Sequence, residues 1–531
     1  MSFDLLTESW IPVIRTDGSS DTLSIRGVFG EAAQIRRVAA ELPTQSFAIM
    51  RLLLAICHDA IGFRHEDDVE EALTRGLDLA QVEGYLDRFA DRFDLFHPAR
   101  PFMQVADLRT AKDEAAGLEK LISDVPNGKP FLTTRGGEAL RRISAAEAAV
   151  WLIHAQAYDP SGIRSAAVGD PETSGGKGYP IGPSWVGQIG GVLLHGDSLA
   201  ETLPLNLVPT QGAPGDRPCW ASDIPQTALR QLEPKPHGPV ELLVWQSRRI
   251  RLVGDRAGVT GVVLSQGDKM TPQNRHGLEF MTAWRYSEPQ TKKLGMAVYM
   301  PQKHDPERAG WRGLPALLST PEYEDGHAKS IPPATVAQVA RLSDEVADLD
   351  RRIGVELIGM DYGPQEATVN DIVADTLDLR ASVLGRDAGE VRVLIHDAVS
   401  TADACVRALG RMAGNLASAA GDFDGVDGAR SRATLAGWSA LDDPARAWIA
   451  TLGRETDTIE AKRAWHQEVR AAMEGQLAVL AATCSPAAVA GRQTKFGFMT
   501  AAQAEIYFRS ALRKELPLAY PQTTQEGGDR G

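Results

Sequence analysis

Apolar positions along the chain repeat first at two residues, then at three and four, and these periods mark out its elements. Trp10 to Arg15 (WIPVIR) alternates as a strand, Thr16-Asp17-Gly18 is a turn, and Asp21 to Ile25 reads as the returning strand. Ser24 is placed to cap a helix carrying Val28, Phe29 and Ala32 on one side. Thr44 to Ile61 predicts a helix, with Phe47, Met50, Leu53, Leu54 and Cys57 on one apolar face. Val69 to Phe96 reads as further helix, ending before His97-Pro98. Gly191 to Pro209 predicts a strand and a helix, and Val240 to Val253 (VELLVWQSRRIRLV) reads as strands with a turn at Asp255 to Gly258.

Pro332-Pro333 opens a helix whose stripe runs through Val336, Val339, Leu342, Val346, Leu349 and Ile353. Gly354 to Val369 predicts a hairpin with Tyr362-Gly363-Pro364-Gln365-Glu366 at its tip. Beyond Asp387 the chain turns alanine-rich, with helices expected at about 389–419, 430–452, 456–484 and 500–516. In the third, Trp465, Val469, Met473, Leu477, Leu480 and Cys484 share a face; Thr500 with Gln503 forms a capping-box pattern before the fourth. The fold expected is α+β: residues 1–384 a large mixed α/β domain, residues 385–519 a four-helix bundle, and 520–531 a polar, disordered tail.

Composition narrows the functional classes. At 531 residues the chain is long enough for two or three domains. A net charge of −14 argues against a freestanding protein that coats DNA, yet leaves room for local cationic loops on an acidic body. Cys57, Cys219, Cys405 and Cys484 are far apart, so no CxxC zinc site is expected. The N-terminus has no signal-peptide pattern, and the longest apolar runs, such as Met50 to Cys57, fall short of the ~20 residues of a membrane helix. A cytoplasmic location and no membrane partner are expected.

Two glycine- and proline-rich stretches, Pro126 to Arg142 and Tyr158 to Gly191, flank the apolar segment Glu147 to Ala157. They carry Lys129, Arg135, Arg141, Arg142, Arg164 and Lys177, cations able to meet phosphate, among glycines that let backbone N–H groups approach an anion. Enzyme signatures are missing. Gly175-Gly176-Lys177-Gly178 lacks the glycine spacing and the hydroxyl of a Walker loop, no HExxH occurs, and Gly182 to Gly187 has the wrong spacing for a nucleophile elbow. His154 reads as a satisfied core histidine, and His58 and His65 as structural. No cofactor or metal is expected. Two other readings remain: a nucleotide- or metal-dependent enzyme using the loop 169–191, and a purely structural scaffold.

Several motifs in order resemble the CasA family: WIPV at Trp10 to Val13, HPARPFMQ at His97 to Gln104 and LEKL at Leu118 to Leu121. Gly136 to Leu140, GGKGYPIG at Gly175 to Gly182 and Tyr362-Gly363 continue the series. CasA is the large subunit of Cascade, the type I-E CRISPR surveillance complex. The resemblance covers nearly the whole chain. It implies a non-catalytic subunit that inspects the PAM, the short motif flanking a target, while guide pairing reads the target itself. Implied partners are guide CRISPR RNA, target double-stranded DNA and its displaced strand, the backbone, small and handle-binding Cascade subunits, and a helicase-nuclease.

The resemblance also implies residues. Phe131 stands where the family contacts guide RNA and the PAM-proximal region, with Lys129 and Thr133 beside it. The PAM-facing glycine loop corresponds to Asp159 to Ser165, so Ser161, Gly162, Ile163 and Arg164 are the expected contacts, with fewer glycines than some relatives. Lys269 is the positional match for a lysine inserted into the minor groove, and Gln365 or Glu366 for the glutamine wedge that opens the duplex. Arg407, Arg411, Arg492 and Lys495 are candidates for contact with the displaced strand or a neighbouring subunit.

Overall fold

The structure, a computed structural model, describes residues 2–125, 133, 135–137, 141–224, 226–231, 234–318, 323–324, 327–345, 350–385, 388–494 and 497–520. It divides into two compact units. The first comprises Met1–Gly310, Ala316–Leu342 and Ile353–Thr376; the second comprises Trp311–Pro315, Ser343–Arg352 and Leu377–Gly531. The expected tail, apart from Tyr520, lies outside the described residues.

The first unit starts with strands β1 (Ile11–Arg15) and β2 (Ser20–Leu23), helix α1 (Ile25–Gly30) and strand β3 (Ile35–Val38). They form a sheet in the order β2-β1-β3. The expected second strand stops at Leu23, because the Ser24 hydroxyl accepts from the Gly27 N–H and turns Ile25 into the first helical residue. Helix α2 (Pro43–Ile61) is entered by proline at its first position and left through Gly62 in the left-handed conformation.

Helix α2 is buried on nearly all sides rather than along one face, including Thr44, Gln45, Arg51 and His58. Polar groups so placed need partners. Arg51 donates to both carboxylate oxygens of Glu279, at 2.8 and 2.9 Å, and to the Leu242 and Leu243 carbonyls. The expected helix over 69–96 is two: α3 (Glu66–Arg75) and α4 (Leu79–Arg88). Gly76 at φ 85° ends the first, and the Asp78 carboxylate caps the second by accepting from the Ala80 and Gln81 N–H groups.

Helix α5 (Ala145–Tyr158) is also buried and packs on α2. Short strands β4 (Arg164–Ser165), β5 (Thr173–Ser174) and β6 (Lys177–Gly178) follow, then β7 (Gly191–His195) and α6 (Leu199–Leu205). The run expected as strand from Val240 begins instead with a short helix, α7 (Pro239–Leu243), started by its proline. Strands β8 (Arg248–Asp255) and β9 (Gly258–Gln266) then form a long antiparallel pair.

The helix Ala334–Glu345 ends before Ile353, which lies in a strand rather than on the helical stripe. Strands Arg352–Tyr362 and Val369–Arg380 make a hairpin about the expected tip, longer than expected because its second strand begins at Val369, where the expected hairpin ended; the first strand also pairs with β7, Gly354 opposite His195 and Ile358 opposite Gly191. In the second unit, the long helices are Gly389–Ala420, Val426–Ile449, Thr458–Ala482 and Ala501–Glu515, with the first packed against the other three. Trp465 is buried there, 5.1 Å from the Trp448 ring, and donates to the Ala398 carbonyl at 3.0 Å. No single described helix is long and apolar enough to cross a membrane.

Candidate nucleic-acid interface

Loop 159–165 leaves the C-terminus of α5, and its root is held from beneath by charge. Asp159 is buried between two guanidinium groups. Arg248, fully buried, donates from Nε to Asp159 Oδ2 at 2.5 Å, and its Nη2 reaches the carbonyls of Asp159, Pro160 and Gly182. Arg164 donates from Nη2 to both Asp159 oxygens, at 2.8 and 2.7 Å, and to the Pro160 carbonyl. Burial draws the Arg248 pKa below its ordinary value; Asp159 opposes that shift and Arg164 adds to it. Two guanidiniums on one carboxylate leave the cluster with excess positive charge. Arg164, expected as a direct contact to DNA, therefore faces inward and stabilises the loop.

The loop's outer part is fixed by side chains of β9 that donate to its carbonyls. Gln266, at the end of β9, donates from Nε2 to the Gly162 carbonyl at 2.8 Å, and Ser265 donates to the Ser165 carbonyl at 2.9 Å. Ser161 is buried, while the Ile163 side chain is 55% exposed at the turn of the loop. Lys269 is exposed and lies three residues beyond Gln266, so the β9 strand that anchors Gly162 also leads to this lysine.

The GGKG stretch becomes a small sheet in the order β4-β6-β5. Thr173 pairs with Gly178 and Ser174 with Lys177, leaving Gly175 (φ 59°) and Gly176 (φ 72°) as a two-residue turn. Positive φ at both positions is the type I′ hairpin geometry, which glycine adopts without penalty. A phosphate loop needs a turn running into a helix N-terminus, and this turn runs into a strand. The GGKG turn is therefore a hairpin turn and not a phosphate loop.

The long hairpin reaches the same place. The Ser161 N–H donates to the Glu366 carbonyl at 2.8 Å, so the loop and the hairpin tip are joined directly. Tyr362, at the end of the first hairpin strand, donates its hydroxyl to the Tyr158 carbonyl at 2.7 Å, and burial pushes its pKa well above the usual phenol range. A Cβ on Gly187 would stand 2.2 Å from that hydroxyl, which explains a glycine there. At the tip, Gln365 is exposed, while Glu366 turns back and pairs with Lys303 at 3.1 Å.

The other expected contacts are placed less fully. Phe131 and Lys129 lie outside the described residues; Thr133 donates to Asp124 at 3.2 Å and accepts from the Arg135 N–H. Arg135 is engaged by Asp124, Glu41 and Glu147 and lies over the Trp151 ring, so this cation is structural. Lys177 is exposed on β6. His154 is a core histidine as expected, hydrogen-bonded to Thr44 at 2.9 Å, with its pKa pushed down to about 3 by burial. In the second unit, Arg407 pairs with Asp403, Arg411 and Arg492 are exposed, and Lys495 lies outside the described residues. Among the described residues, no cluster of His, Cys, Asp or Glu could hold a metal ion.

The description "CRISPR-associated protein Cse1" matches residues 4–475. The chain belongs to the Cse1 family. The CasA/Cse1 protein of Thermus thermophilus is 30% identical over 402 residues, 73% of each chain. The crystal structure of Thermobifida fusca Cse1 superposes with a TM-score of 0.90 at 42% identity, covering 98% of this chain and 99% of that one. A chain of a solved CRISPR RNA-guided surveillance complex shares the fold at a TM-score of 0.68 and 21% identity, over 90% of this chain and 99% of its own. Cse1 is a family of surveillance-complex subunits rather than a known enzyme family. The residues framing this candidate site that sequence reasoning missed are Arg248, Gln266 and Lys303, ordinary polar residues until the fold sets them around the loop and the hairpin tip.

Proposed function

We propose that this chain is the large subunit of a CRISPR RNA-guided surveillance complex and reads the PAM in target double-stranded DNA. Family membership supports its place among Cascade subunits and guide RNA. The single observation carrying the finer reading is the Ser161–Glu366 bond, which brings the expected PAM loop and the expected wedge to one point. The geometry of the loop and the tip supports a division of roles. Gly162 and the exposed Ile163 present backbone and a small apolar surface suited to a minor groove, the excess charge of the Arg248–Asp159–Arg164 cluster attracts phosphate, and Lys269 adds an exposed cation. Gln365 is the wedge, because its amide side chain is exposed at the tip while the Glu366 carboxylate is engaged by Lys303. Guide-RNA contact belongs to Lys129, Phe131 and Thr133, displaced-strand contact to the helical bundle, and the bound complex recruits the helicase-nuclease.

The test is target-duplex binding by the reconstituted complex with and without this chain. PAM-dependent binding that needs the chain is the expected result; equal binding without it refutes the reading and leaves a scaffold.

A further inference from the structure

The hairpin tip is held in an unfavourable backbone form. Gln365 (φ 59°, ψ 17°) and Glu366 (φ 55°) are consecutive non-glycine residues in the left-handed region. Side chains there crowd the following carbonyl, so such a pair persists only where its surroundings hold it. Three contacts converge on Glu366. Its carbonyl accepts from Ser161 at 2.8 Å, its N–H donates to the Gly363 carbonyl at 2.8 Å, and its carboxylate meets Lys303 Nζ at 3.1 Å. Lys303 in turn lies 5.6 Å from the centre of the Tyr362 ring, and Tyr362 is fixed to Tyr158.

We propose that the Glu366–Lys303 ion pair is a positioning latch: it seats the hairpin tip on loop 159–165 and thereby turns Gln365 outward. This rests on the reading of the tip as the wedge. The pair joins two segments that no strand pairing brings together among the described residues. Its groups are 42% and 46% exposed, so it contributes modestly and is weakened by salt. That modest strength makes it readable without unfolding the chain.

The first measurement is hydrogen exchange at the Ser161 amide in the full chain alone. Lys303→Met and Glu366→Gln are expected to speed exchange about two- to fivefold at low salt. About 0.5 M NaCl brings the unsubstituted chain toward the variants. The swap K303E with E366K restores slow exchange, an outcome that a role for Lys303 in binding phosphate would not give. Unchanged exchange in both single variants, or a swap that fails to restore it, overturns the latch. The second measurement places 2-aminopurine beside the PAM in the reconstituted complex. Lys303→Met lowers the duplex-opening signal while PAM preference is retained, and the swap recovers it. If the unsubstituted complex shows no opening signal, the wedge reading fails, and the amide result then judges the latch on its own.

Discussion

The backbone N–H of Ser161 donates to the carbonyl of Glu366 at 2.8 Å, joining the loop after α5 to the tip of the long hairpin. A main-chain bond of this kind is independent of side-chain identity, so it couples the two segments whatever the loop carries. It makes the site one object: a loop, a tip, and a charged cluster beneath them.

That cluster has a definite hierarchy. Arg248→Met leaves Asp159 with one cation and removes the Arg248 donor from three carbonyls: Gly182, Asp159, which keeps the Ser184 N–H, and Pro160, which keeps Arg164. It is expected to cost about 3–5 kcal/mol, the range for breaking a buried pair. Arg164→Met leaves Asp159 paired with Arg248 and costs about 1–2 kcal/mol. Urea unfolding of both variants checks the order, and a larger loss for Arg164→Met would contradict it.

The two-residue turn makes a separate prediction. At Gly175 and Gly176 an added Cβ meets nothing within 4 Å, so substitution there is limited by backbone conformation alone. Gly175→Asn is expected to be nearly neutral, while Gly176→Val loses about 1–2 kcal/mol because valine resists positive φ. Thermal unfolding of the two variants separates conformation from packing.

Buried histidines set the acid response. His58 and His154 both have pKa values pushed down to about 3 by burial, and neither His58 ring nitrogen finds a partner among the described residues. Between the unfolded pKa of 6.5 and that value the unfolded chain binds a proton the folded chain does not, so stability falls as pH falls. At pH 5 each histidine withdraws about 2 kcal/mol, from 1.4 kcal/mol per pH unit. His58→Leu is expected to reduce the loss between about pH 7 and 5 by that amount, read by urea titration at both values. An unchanged pH dependence would show that His58 is accessible to protons in the folded state.

Much of the architecture was legible from sequence periodicity, because long apolar repeats survive any local detail. The four C-terminal helices lie within a few residues of their expected bounds, and the hairpin turns at the expected tip, although its second strand runs eleven residues past the expected end at Val369, to Arg380. The errors have local causes. The helix over 69–96 broke at Gly76 and Asp78, a stop and a start signal present in the sequence, and Val240 entered a helix because Pro239 opens one. At the site, the loop and the tip were legible as motifs, but their contact was not, since nothing local links Ser161 to Glu366. Arg164 shows the limit most plainly. Sequence shows a cation in a glycine-rich loop, and only the fold reveals Asp159 holding it inward.

The wedge assignment gives a prediction that discriminates neighbours. Gln365→Ala is expected to lower duplex opening beside the PAM about tenfold, equivalent to about 1.4 kcal/mol, with the Ser161 amide still protected. Replacing Gln365 should leave the tip seated, because the contacts that seat it belong to Glu366. Opening read by 2-aminopurine checks it; an effect of Glu366→Gln without one of Gln365→Ala would move the wedge to the neighbouring residue.

The most direct measurement of the central claim is the affinity of the reconstituted complex for one target presented with a panel of flanking trinucleotides. Unsubstituted chain and the Lys269→Ala, Gly162→Val double variant would be compared at fixed salt. The account predicts affinities that vary with the flank for the unsubstituted chain, and a flattened, weaker profile for the variant. Affinities that do not vary with the flank, or a variant whose profile is unchanged, would contradict it.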